Sequence, residues 1–128
     1  MSLDGIEAAD IRFEERAGYL YAYVSGKKDS LQVSLDFWRR CINECENRSY
    51  NKLLVVENFP NQLSTSDIYT LAAAIPKMIK TVLMIAFVDN ESEHDALNMF
   101  GETVATNRGA KGCVFKSEKS AEAWFNIA

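Results

Sequence analysis

Short apolar runs alternate along the chain with longer amphipathic stretches, and this alternation sets the predicted elements. Ile11 to Arg16 has partial two-residue alternation, Ala17 and Gly18 make a short connection, and Tyr19 to Ser25 alternates again. The pattern predicts a hairpin of two antiparallel strands. In the second strand Leu20, Ala22 and Val24 fall on one face and Tyr19, Tyr21 and Tyr23 on the other. Asp29 or Ser30 is placed to cap a first helix, with Leu31, Leu35, Trp38, Ile42 and Cys45 as its apolar stripe, widened by Phe37 and Cys41.

Polar residues from Asn47 to Asn51 lead into a buried strand, Lys52 to Glu57. A polar loop from Asn58 to Leu63 follows, then a second helix capped by Ser64, Thr65 or Ser66, with Ile68, Leu71, Ala72, Ile75 and Ile79 facing inward. Pro76 kinks or ends it. Thr81 to Val88 is apolar at every position after the threonine, which predicts a strand covered on both faces and the most central one of the sheet.

Glu91, Glu93 and Asp95 suit the first turns of a third helix, with Leu97, Phe100 and Val104 inward and Gly109 as the stop. Gly112 to Phe115 is a short last strand, and Ser117 and Glu118 open a closing helix carrying Ala121, Trp124 and Phe125. The expected fold is therefore a single α/β domain: a five-stranded, mostly parallel sheet with an N-terminal antiparallel hairpin, four helices and right-handed crossovers. Residues 1–10 read as an N-terminal segment and 11–128 as the domain.

Composition adds exclusions. At 128 residues, 48% of them hydrophobic, the chain builds a core without disulfides or structural metals. Fourteen basic against eighteen acidic residues give a net charge of −4 with no block of like charge, which argues against nucleic acid and anionic membranes as partners. No apolar run approaches the roughly 20 residues of a membrane span, and the start is not a signal peptide. The expectation is a cytoplasmic protein that is not an integral membrane protein. Cys41, Cys45 and Cys113 are an odd number without metal-ligand spacing and read as reduced thiols, the first two packed in the core.

A loop that leaves a parallel strand and feeds a helix N-terminus is where an open α/β sheet places its site, so Asn58 to Asp67 is the first place to look. Glu91, Glu93, His94 and Asp95 invite a metal or acid/base reading. Neighbouring helical residues point in different directions, however, and His94 is the only histidine, so a solvated helix start is preferred. No catalytic triad, glycine-rich phosphate loop or nucleophile elbow can be assembled. No catalytic residue, cofactor or metal is expected. If the connecting helices all stack on one face, the other face, with Tyr19, Tyr21 and Tyr23, needs cover from a second copy, a protein partner or an apolar ligand, or else from a helix of the chain itself.

This element order, with its short last strand and terminal Ala121, Glu122, Ala123, Trp124 and Phe125, resembles the SpoIIAA-like superfamily. That group includes the STAS domains of bacterial anti-sigma-factor antagonists and sulphate transporters, and shares a general fold with CRAL-TRIO lipid-binding domains. The resemblance covers Ile11 to the C-terminus as a pattern of elements. Phosphorylated members open the second helix with Asp-Ser-Ser-Gly-Leu, whose second serine accepts phosphate from a partner kinase. The corresponding run here is Ser64, Thr65, Ser66, Asp67, Ile68, so Thr65 and Ser66 match the hydroxyl positions, while Ser64 replaces the aspartate and Asp67 the glycine.

The resemblance implies a non-enzymatic regulatory module that docks a protein partner, or a second copy as a homodimer, through the loop after the third strand and Ser64 to Asp67, with phosphorylation as a control. Capping alone also explains these residue types at a helix start and is the preferred reading of them. The CRAL-TRIO likeness implies the alternative, a carrier of a small apolar or lipid-like ligand. A large enclosed apolar pocket would favour the carrier, and a filled core with an exposed patch near Ser64 the module. At this length, with so many large side chains needed for packing, the module is preferred.

Overall fold

Gly18, at φ +84°, makes the tight connection that folds β1 (Asp10–Arg16) back on β2 (Tyr19–Ser25). From there strands and helices alternate: α1 (Leu31–Asn47), β3 (Lys52–Asn58), α2 (Thr65–Met78), β4 (Met84–Asp89), a 3-10 turn (Ser92–His94), α3 (Asp95–Asn107), β5 (Lys111–Phe115) and α4 (Glu118–Ile127). The structure is a computed structural model and describes residues 7–127. The five strands lie in sequential order, β1 antiparallel to β2 and the other pairs parallel. This is the expected α/β architecture of one domain. Among the described residues no helix is long and apolar enough to cross a membrane.

Strand alternation divides the core in two. Leu20, Ala22 and Val24 of β2, Leu53 and Val55 of β3, and Ile85 of β4 face α1 and α2. Tyr19, Tyr21, Leu54, Val56, Ala86 and Val88 face the other way, onto Ala121 and Phe125 of α4. The chain thus covers both faces itself, and of the tyrosine row only Tyr23 is left half-buried. The helix starts follow local chemistry. Ser30 Oγ accepts from the Val33 N–H, Ser64 Oγ from that of Asp67, and Ser117 Oγ from that of Ser120. Gly109, at φ +93°, follows the end of α3.

Four expectations need correction. With the strands in sequential order β3, not β4, is central. β4 begins only at Met84, because the Lys80 and Thr81 N–H groups and the Thr81 hydroxyl donate to the Glu46 carboxylate at 2.8–2.9 Å, which holds this stretch against α1 and leaves Val82 exposed. The buried face of α1 includes Val33 and Ser34, while Leu31 and Leu35 are half-buried. The acidic stretch after β4 does not open α3 directly. Asp89 accepts from the Glu91 N–H at 2.9 Å, a 3-10 turn intervenes, and α3 starts at Asp95. Phe100 then lies exposed, while Asn98 and Gly101 line the interior.

Candidate functional site

β3 and β4 both end in the same three-residue pattern, valine, an acid and asparagine: Val56-Glu57-Asn58 and Val88-Asp89-Asn90. The parallel register pairs Glu57 with Asp89. Glu57 shares the parity of Leu53 and Val55, and Asp89 that of Ile85 and Phe87, so both carboxyls stand on the α1–α3 side at the carboxyl ends of the strands. Asp29, from the connection between β2 and α1, joins them there, as does His94 from the 3-10 turn. The four come from separate parts of the chain, and all are buried.

Three of the four are held by neighbours. Asp29 Oδ1 accepts from the Ser34 hydroxyl at 2.7 Å and from the Ser30 N–H at 2.9 Å. Its backbone is fixed too, since the Asp29 N–H donates to Asn61 Oδ1 at 2.8 Å and Asn61 Nδ2 returns a bond to the Asp29 carbonyl at 3.0 Å. This exchange ties the β2–α1 and β3–α2 loops together. Asp89 Oδ2 lies 2.9 Å from His94 Nδ1 and accepts from Asn98 Nδ2 at 3.0 Å.

Glu57 is different. Only 8% exposed, its carboxyl makes no hydrogen bond among the described residues. Burial and the neighbouring Asp29 and Asp89 push its pKa well above the ordinary carboxylate value. Burial likewise pushes Asp29 up to about 6, against the lowering effect of its two hydrogen bonds.

These groups form one end of a cavity of about 120 Å³ between the sheet and the helices. Its body is apolar, with Trp38 from α1, Leu71, Ala72 and Ile75 from α2, and Ile85 and Phe87 from β4 among its walls. Gly101 lets α3 approach α2 closely, since a Cβ there would sit 3.3 Å from Ile68 Cγ2. Glu102, from α3, also lines the cavity but is occupied, accepting from the Val114 N–H at 2.6 Å. Among the described residues no lysine or arginine lines the cavity. Among the described residues no group of three or more histidine, cysteine or acidic side chains is arranged to hold a metal ion.

Of the residues singled out from sequence, Ser64 is the N-cap of α2, Thr65 and Ser66 are exposed on its first turn, and Asp67 is half-buried. Gln62, Leu63 and Ile68, on either side of them, line the cavity, so this helix start flanks it. Tyr19 and Tyr21 lie beneath α4, with the Arg16 guanidinium stacked 3.7 Å from the centre of the Tyr21 ring. Tyr23 accepts a hydrogen bond from Asn58 Nδ2 at 2.9 Å. Cys41 and Cys45 are buried in the core, where burial pushes the Cys45 thiol up to about 12. Glu91 and Glu93 are exposed as expected of a solvated turn, but His94 is buried. Sequence reasoning missed Asp29, Glu57 and Asp89 as a group, although the repeated valine-acid-asparagine ending of two adjacent parallel strands was a signal for two of them.

No protein-family model matches the chain, and no curated protein matches it.

Proposed function

We propose that the chain is a non-enzymatic binding module of SpoIIAA-like type that takes a small ligand with an apolar body into the cavity under α2 and α3. One observation carries this reading: an apolar space of about 120 Å³ that ends in a buried polar cluster at the carboxyl ends of β3 and β4. A dry cavity of about 150 Å³ in a protein core is enough to bind a benzene ring. The volume therefore suits a single ring or a short alkyl chain rather than a long lipid, which narrows the carrier alternative to small molecules.

The test is the wild-type protein titrated with benzyl alcohol and followed by amide NMR. Shifts confined to the residues that line the cavity, on α1, β3, α2, β4, α3 and β5, are expected. Ala72, 4% exposed on α2, lines the cavity, and Ala72→Leu fills it. This variant should keep its thermal midpoint within a few degrees and lose the shifts. Unchanged shifts in Ala72→Leu would place the ligand elsewhere.

A second reading, a protein partner docking at Ser64 to Asp67 under control of phosphorylation, is favoured by the exposure of Thr65 and Ser66 beside the cavity rim. A phosphate there would meet the free N–H groups and positive dipole end of α2. The mass of the protein isolated from its native cells decides it. A phosphate mapped to Thr65 or Ser66 that survives denaturation supports docking control, and its absence under every growth condition removes it.

A further inference from the structure

The Asp29 carboxylate is held by two hydrogen bonds and that of Asp89 by three, but Glu57, more than nine-tenths buried, borders the cavity without a partner among the described residues. Three carboxyl groups gather here, and among the described residues no lysine or arginine lines the cavity to balance them. A carboxyl in this setting stays protonated or meets a positive charge. Burial and the neighbouring Asp29 and Asp89 raise the pKa of Glu57, and burial raises that of Asp29.

We infer that the ligand is a small primary amine in its ammonium form, its ring or short alkyl chain in the apolar body of the cavity and its nitrogen donating to the Glu57 carboxylate. This rests on the cavity reading above and names the chemical class of its ligand. The ammonium has three N–H donors to distribute among oxygen acceptors, whereas a metal needs a convergent ligand set that these side chains do not form. Asp29 and Asp89 supply further negative charge on either side of Glu57.

Binding has a defined proton balance. Glu57 gives its proton to solvent as the ammonium arrives, so affinity rises with pH while the amine stays protonated. The other titratable groups bordering the cavity are Asp29 from the β2–α1 connection, Asp89 from β4, His94 from the 3-10 turn, Glu102 from α3 and Cys113 from β5. α1 and α2 contribute none.

The experiment is calorimetric titration of the full chain with three probes of one shape: benzylamine, benzyl alcohol and benzoate. At about pH 7.5 benzylamine should bind roughly tenfold more tightly than the alcohol, the effect of one charge-assisted hydrogen bond, and benzoate should not bind. Glu57→Gln should remove that preference, so that benzylamine binds no more tightly than benzyl alcohol. A wild-type protein that binds the alcohol as tightly as the amine overturns the amine assignment and leaves the cavity reading standing. Failure of both the amine and the alcohol to bind overturns both. Should Glu57→Gln not fold, wild type still decides, because titrations in two buffers of different ionisation enthalpy read the protons released. At about pH 5.5, where Asp29 still holds a proton and Glu57 is raised in the same direction, net proton release on benzylamine binding is expected, and none there would overturn the assignment.

Discussion

The carboxyls at the polar end of the cavity leave a mark on stability. Asp29 carries an ordinary value of 3.8 that rises to about 6 in the folded protein. Its contribution is fully present below about pH 3.8 and is lost as pH climbs to about 6, a loss of about 3 kcal/mol at most. Glu57 acts in the same direction, its loss beginning near 4.5 and extending further up. Glu14 and Glu46, whose pKa values are lowered by hydrogen bonds to Arg16 and to the Lys80–Thr81 segment, work the opposite way, but only below about 4.5. The thermal midpoint should therefore fall between about pH 5 and pH 7.5, and Glu57→Gln should flatten that fall. A wild-type midpoint that rises across the range would contradict these shifts. The three helix caps could be read from sequence because a cap joins residues three apart. The carboxyl cluster could not, because its members meet only once β3 and β4 lie side by side.

Among the elements, those with strong periodicity were legible and those set by a distant partner were not. α4 was predicted from Ala121, Trp124 and Phe125, and Ala121 and Phe125 are the two residues it buries against the sheet. Phe125, 2% exposed and 5.2 Å from the Tyr19 ring centre, should cost about 3–5 kcal/mol when replaced by alanine, read by denaturant unfolding. The start of β4 was misplaced because Glu46, far away in sequence, claims the donors of Lys80 and Thr81. On α3 Val104 is buried and Leu97 lines the cavity as predicted, while Phe100 is exposed and the helix starts late, after Asp89 draws His94 inward. One loop rests on a close approach. The Phe59 ring, fully buried and stacked on Phe37, lies where a Cβ on Gly26 would come within 2.7 Å. Gly26→Ala should destabilise the fold by about 1–3 kcal/mol, and an unchanged unfolding midpoint would show that the ring moves aside freely.

Across the whole molecule the sequential strand order divides the work. α1, α2 and α3 lie on the face that holds the cavity, and α4 seals the other. β3, paired on both sides and covered on both faces, is the best-protected element, while α2 buries only Leu71 and Ala72 deeply over a partly empty space. Amide hydrogen exchange should be slowest in β3 and distinctly faster in α2 and α3, and an occupied cavity should slow the two helices most. Equal protection of α2 and β3 in the ligand-free protein would contradict this.

The position of α4 also bears on synthesis. It is the last of the described elements to leave the ribosome, and among the described residues no other helix lies over Leu54 and Val56 on that side of the sheet. A nascent chain that has reached β5 holds every residue of the cavity, yet its second face is still bare and open to wrong partners. Stop codons or fusions placed within residues 118–127 should therefore reduce yield and solubility first, and ligand binding only as a consequence.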